Sequence, residues 1–301
     1  MTQTVTPELR QWIIEQSTAG CMPEAVLEAM VKAGWQPDVA EAALEQTLRD
    51  HLQKLGAGRA AAPAPVQAPA QAPAQATALE MATVRVPDIA LSGSPRRLDA
   101  GDRMVDVIIS VTQPRVVVLG GLLSHEECDG LIEASRPRLA RSLTVQTATG
   151  GEELNPDRTS NGMFFNRGES ELVKRIEARI ARLVNWPVEN GEGIQVLNYK
   201  VGAEYKPHYD YFDPAEPGTP TILKRGGQRV GTVVMYLNEP PRGGGTTFPD
   251  IGLEVAPVRG NAVFFSYNRP HPGTLTLHGG APVLEGEKWV ATKWMRERVF
   301  E

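Results

Sequence analysis

Residues 57–79, "AGRAAAPAPVQAPAQAPAQATAL", set the first limit on what this 301-residue chain can fold into. The tract is built from alanine, proline and glutamine, with almost no charge and few large apolar side chains. It cannot bury enough surface to offset the entropy of ordering, and its prolines favour extended polyproline II. Its composition predicts a semi-rigid linker over 56–81, which leaves a small module at 1–55 and a larger domain at 82–301.

The small module reads as all-α. Leu9, Ile13 and Ile14 keep helical spacing in a first segment, and Val26, Leu27, Met30 and Val31 do so in a second. "AGWQPD" (33–38) supplies a glycine stop and then a proline able to open a third helix, whose apolar positions are Val39, Ala42, Ala43, Leu44 and Leu48. In its "AGW…AEAAL" pattern the module resembles a ubiquitin-associated-like fold, which implies a protein-docking role. The alternative is three helices that only pack on one another around Trp35.

The larger domain is expected to be α+β. "RVVVLGGLL" (115–123) reads as a strand and turn. Ser124 and Glu127 then have the spacing of a capping box at the head of a helix. A second amphipathic helix is predicted over 170–186, with Leu172, Ile176, Ile180 and Leu183 on one stripe. From 194 onward the pattern changes to short β-branched or aromatic runs separated by Gly, Pro and Asn: "IQVLNYK", "RVGTVVMYLN", "TTFP", "LEVAPV", "NAVFFSY" and "KWVATKWM". Two helices ahead of such a series predict helices packed on a β-sandwich or barrel.

The net charge of −5 provides no overall basic field for nucleic acid, and no apolar run approaches a membrane span. Two cysteines, Cys21 and Cys128, in different regions argue against a disulfide framework or a thiolate metal site. The opening "MTQTVTPELRQWIIEQ" lacks the pattern of a secretory signal, so a cytoplasmic protein is expected. The glycine clusters at 226–227 and 243–245 fit no phosphate-binding fingerprint and read as turns.

"YKPHYDYFDP" (205–214) carries the chemistry. On a strand, positions i and i+2 share a face, so His208 and Asp210 can offer an imidazole and a carboxylate to one ion. A distant second histidine would complete a set that suits non-haem Fe(II) with open positions. Taken alone, an H-x-D triplet is equally a polar loop.

The segments at 194–212, 226–265 and 277–298 resemble the catalytic core of prolyl 4-hydroxylases, which are 2-oxoglutarate- and Fe(II)-dependent dioxygenases. The resemblance covers residues 110–300 in the family's order and implies a double-stranded β-helix, or jelly-roll. It implies that His208, Asp210 and His278 are the iron ligands, with His271 a loop residue between two prolines. It further implies that Lys288, ten positions past His278, binds the distal carboxylate of 2-oxoglutarate, with Tyr199 and Thr246 as hydroxyl partners. Arg158, Ser160, Glu192, Arg229 and Trp294 fall on peptide-contacting positions, with a surface ion pair as the alternative for Arg158 and Glu192. Arg296 departs from the pattern, since some relatives carry a histidine there. The segment 212–227 falls where relatives have a mobile lid.

The implied activity is hydroxylation of peptidyl-proline coupled to decarboxylation of 2-oxoglutarate to succinate and CO2, with O2 as co-substrate and ascorbate as a reductant. Competing readings keep the iron chemistry on lysyl side chains, free amino acids or nucleic-acid bases, or make the chain a non-catalytic binding protein.

Overall fold

The computed structural model describes residues 85–301, apart from 142, 146–151 and 155–158, together with parts of 5–47. Two compact units divide the chain, Met1–Thr77 and Ala78–Glu301.

In the first unit one helix, α1, spans Pro23–Lys32, with further helical residues at 9–10, 12–14, 37, 39–40, 42–44 and 46–47. Ile13, Val26, Met30, Ala40, Ala43 and Leu44 form a small core, against which Leu9, Trp12 and Trp35 are partly buried. Val31 departs from its expected inward place and is exposed, because it follows Met30 by one step and rotates about 100° off the apolar stripe. Leu48 and the linker lie outside the described residues.

The second unit runs through β1 (Arg97–Asp99), β2 (Met104–Val111), β3 (Arg115–Gly120), α2 (His125–Ser135), β4 (Ala140–Arg141), β5 (Leu143–Val145) and β6 (Glu152–Leu154). Next come β7 (Asn161–Phe165), α3 (Glu171–Leu183), β8 (Ile194–Tyr199), β9 (Tyr205–His208), α4 (Thr219–Ile222) and β10 (Arg229–Tyr236). The last strands are β11 (Arg242–Gly243), β12 (Thr246–Phe248), β13 (Leu253–Val255), β14 (Ala262–Ser266), β15 (His278–Gly280), β16 (Val283–Glu285) and β17 (Lys288–Arg296).

A nine-stranded antiparallel sheet has the order β1-β2-β3-β14-β10-β17-β8-β7-β4, and a four-stranded one has the order β13-β12-β15-β9. Period-two alternation gives the large sheet two working faces. Val117, Leu119, Val233, Met235, Phe264, Trp289 and Ala291 meet the apolar stripes of α2 and α3. The intervening Val116, Val118, Leu197, Tyr236, Val263, Phe265 and Val290 meet Phe248 and Val255 of the small sheet. Two sheets closed over a shared core, with helices on the outer face, make the jelly-roll in an α+β chain.

α2 begins at the expected cap, and α3 begins one residue past its expected start. Ser124 and Glu127 form the reciprocal capping box of α2, and Ser170 caps α3. Glu127 also joins the helices, since Arg103, Arg175 and Arg179 all donate to its carboxylate. Burial alone would push that carboxyl up, but these guanidiniums and the Ser124 amide hold it down at about 2.

Candidate active site

His208 closes β9 and His278 opens β15, and the pairing of these strands sets the two residues directly opposite one another. Asp210 lies two residues beyond His208, in a bend past the end of the strand, so the turn and not strict strand alternation brings it to the histidines. Asp210 Oδ1 is 3.7 Å from His208 Nε2, and Oδ2 is 3.5 Å from His278 Nε2. One donor atom from each of the three lies within 4.8 Å of the others, the spacing of a set able to hold a metal ion.

The backbone selects the tautomer. His208 Nδ1 is 2.9 Å from the Lys206 carbonyl, and His278 Nδ1 is 2.9 Å from the Thr276 carbonyl. A carbonyl only accepts, so each Nδ1 carries the proton and each Nε2 keeps its lone pair facing inward. Burial pushes His278 down to about 4, which leaves it neutral at physiological pH. Burial would raise the Asp210 carboxyl, but His278, His208 and Arg229 hold it well below the usual carboxylate range. Thr232 donates to Asp210 Oδ2 at 2.7 Å, with the Tyr267 hydroxyl 3.0 Å behind it. Two imidazoles oriented by backbone carbonyls and one oriented carboxylate fit a non-haem Fe(II) centre.

The same cavity is lined by Lys288, Tyr199, Thr246 and Trp294. Register explains the grouping: Lys288 pairs with Tyr199 across β17 and β8, and Trp294 lies six residues along the same face of β17. Lys288 is 4% exposed and has no carboxylate within ion-pair distance among the described residues. Burial pulls its ammonium down to about 8, opposed by the field of Glu254. The Tyr199 and Tyr236 rings lie 5.6 and 5.9 Å from its Nζ. Thr246 accepts from the Tyr236 hydroxyl at 2.8 Å, which leaves its own proton free to donate. A Cβ on Gly244, at φ +74°, would stand 3.1 Å from Lys288 Cδ, so this turn glycine gives the lysine its room.

The expected peptide-contacting residues do not all gather here. Arg158 lies outside the described residues, and Ser160 is fully buried. Glu192 is not part of a surface ion pair. It is 6% exposed and accepts two bonds from Arg229, at 2.7 and 2.9 Å, and one from Arg296 at 2.6 Å. Arg229 in turn covers the Trp294 ring at 4.0 Å. His271 is an exposed turn residue whose Nδ1 accepts from the Gly273 amide. The segment 212–227 is tied at its base, because the Gln228 side-chain amide bonds both the N–H and the carbonyl of Phe212 at 2.8 Å.

Sequence reasoning missed Thr232, Tyr267, Tyr236 and Tyr205, whose ring stacks on His208 at 3.7 Å. Thr232 left one usable trace, a hydroxyl inside the otherwise apolar run "VGTVVM".

The chain has recognisable relatives among known proteins. The 2OG-Fe(II) oxygenase superfamily profile matches residues 194–296. Prolyl 4-hydroxylase 5 of Arabidopsis thaliana is 41% identical over 222 residues, covering 67% of this chain and 74% of that protein. Prolyl 4-hydroxylase 1 of the same plant is 42% identical over 206 residues, covering 62% and 70%. A viral collagen prolyl hydroxylase from Paramecium Bursaria Chlorella virus-1, solved with 2OG, aligns over 60% of this chain and 95% of its own at 30% identity and a TM-score of 0.47.

Proposed function

The chain belongs to the prolyl 4-hydroxylase family of 2-oxoglutarate- and Fe(II)-dependent dioxygenases, and from that premise we propose that it hydroxylates prolyl residues of a peptide or protein. One observation carries the reading: a buried lysine without a carboxylate partner shares a cavity with two histidines and an aspartate.

In this reading His208, Asp210 and His278 hold the iron, while Lys288, Tyr199 and Thr246 bind the distal carboxylate of 2-oxoglutarate. A buried ammonium is costly until an anion reaches it, which makes Lys288 selective for a dianionic co-substrate. Fe(II), when bound, would activate O2 at the expense of 2-oxoglutarate, one oxygen atom going to succinate as CO2 leaves and the other to the prolyl carbon. The chain's own residues orient and protect. The carbonyls of Lys206 and Thr276 keep both imidazoles aimed, Thr232 holds the carboxylate, and Trp294 offers an aromatic wall to a proline ring.

Arg158 and Ser160 are assigned to the peptide by family resemblance alone, and Glu192 and Arg229 act with Trp294 at its entrance. Ascorbate is the proposed accessory reductant for turnover without peptide. A reduced, cytoplasmic setting is proposed from the low cysteine count, Cys21 and Cys128 in different regions. The unit at 1–55 is proposed as a docking module, supported by its own small core.

Full-length protein given Fe(II), 2-oxoglutarate and proline-rich peptides should form succinate that the peptide stimulates, with one oxygen added at proline by mass spectrometry. Succinate that no prolyl peptide stimulates would assign another substrate to the same iron site. No succinate under any condition would overturn the reading.

A further inference from the structure

A groove of about 780 Å³ lies beside the metal-site cavity. The two meet at Trp294. Its ring lines the first cavity, while Arg229, 4.0 Å from the ring centroid, and Phe164, 6.5 Å away, line the second.

The charges in this groove do not balance. Four arginines line it (Arg167, Arg225, Arg229 and Arg296) against two glutamates, Glu192 and Glu301. Glu192 is held by both Arg229 and Arg296. Arg225 Nε donates to a main-chain oxygen of Glu301 at 2.7 Å. Arg167 donates to three carbonyls, those of Glu189, Gly191 and Phe300 at 3.0, 3.1 and 2.8 Å. Arg225 also covers the Phe300 ring at 4.5 Å. Peptide carbonyls orient the Arg167 guanidinium without neutralising it. Arg167 and Arg225 are exposed, and neither has a side-chain carboxylate within ion-pair distance among the described residues. Between them and Trp294, the Phe164 ring is 46% exposed.

The positive surplus stands out in a chain of net charge −5. A concave, arginine-lined wall with one exposed aromatic ring, opening at the aromatic wall of the active site, complements an acidic and partly apolar peptide segment. We propose that this groove receives the segment flanking the target proline, and that Arg167 and Arg225 select substrates with a glutamate or aspartate in that flank. The assignment rests on the prolyl hydroxylase reading and specifies its substrate class. Glu192 has a separate part in it: its carboxylate occupies donors of both Arg229 and Arg296 and offsets one of their two charges, which leaves the rim arginines open to a substrate carboxylate.

The test compares matched proline peptides carrying Glu or Gln at each flanking position. Hydroxyproline formation is read by mass spectrometry, and binding by anisotropy of labelled peptide on the full chain with Fe(II) and 2-oxoglutarate under nitrogen. At low salt the Glu peptide should be favoured roughly tenfold in both kcat/KM and Kd at one or more positions, a size typical of charge-assisted contacts. Arg167→Gln with Arg225→Gln should bring the ratio near one, and the double lysine variant should restore most of it. Because Arg225 also contacts the segment at 300–301, the wild-type protein is titrated with salt in parallel. A preference that survives 1 M NaCl unchanged overturns the proposal, since screening should remove most of it. Equal turnover of Glu and Gln peptides at every position, or no peptide binding at all, also overturns it. A Glu peptide that binds with the expected preference but is never hydroxylated would uphold the groove assignment and overturn the prolyl hydroxylase reading.

Discussion

At the residue scale, His208, Asp210 and Lys288 make separable predictions. A metal bound at one hundred times its Kd should stabilise the protein by about 2.7 kcal/mol. Mn(II) should therefore raise the melting temperature of the wild type and leave that of His208→Ala unchanged, with succinate formation abolished in the variant. A metal-dependent shift persisting in His208→Ala would place the ion elsewhere. Lys288 should write a pH signature on co-substrate binding. Its folded-state value of about 8 means that it is charged below that pH and neutral above it. Affinity for 2-oxoglutarate should be flat below pH 8 and fall by up to about tenfold per pH unit above it, as expected for one required proton. Lys288→Met should weaken binding and remove the slope, and titration calorimetry against pH reads both. The residue types and their offsets were legible because metal and anion chemistry demand them. The support of Asp210 by Thr232 and Tyr267 was not, since hydroxyls on strands are common and only their placement beneath a carboxylate gives them meaning.

At the element scale, α2 and α3 followed from capping signals and a 3.6-residue period, both of which are local. Strands were harder. β2 carries Ile108 and Ile109 outward, 52% and 42% exposed, across a register shift that breaks alternation. β7 opens on Asn161–Gly162, a turn signal overridden by pairing with β4 on one side and β8 on the other. The two helices meet each other through Glu127 of α2, which faces the buried Arg179 of α3 at 2.7 and 2.8 Å. Glu127→Ala should cost about 3 kcal/mol by leaving that guanidinium underpaired. The melting temperature should then fall by roughly 6–12 °C in a domain of this size, with residual succinate formation retained at low temperature. On β10, Thr232→Val should instead leave the melting temperature of the apoprotein nearly unchanged and weaken metal binding about 10–100-fold, the range for loss of a ligand's hydrogen-bonded support. Equal metal affinity in the two proteins would refute the positioning role of Thr232.

At the scale of the whole molecule, the metal-site cavity and the arginine-lined groove both belong to Ala78–Glu301. A chain beginning at residue 82 should therefore keep peptide-stimulated succinate formation within about twofold, a difference well under 1 kcal/mol. A large loss would show that the first unit takes part in catalysis. By itself the sequence determined the capping box of α2, the amphipathic stripe of α3, the strand-rich second half, and the types and spacing of the candidate ligands and of Lys288. Each of these is carried by side-chain chemistry or by neighbours within a few positions. Only the tertiary structure decided that Glu192 serves Arg229 and Arg296 from inside, that Thr232 and Tyr267 stand behind Asp210, and that Arg167 and Arg225 share one groove. Those partners lie as many as 104 residues apart. Their meeting depends on sheet register and closure, which arise from the summed burial of two faces and leave no local period to read.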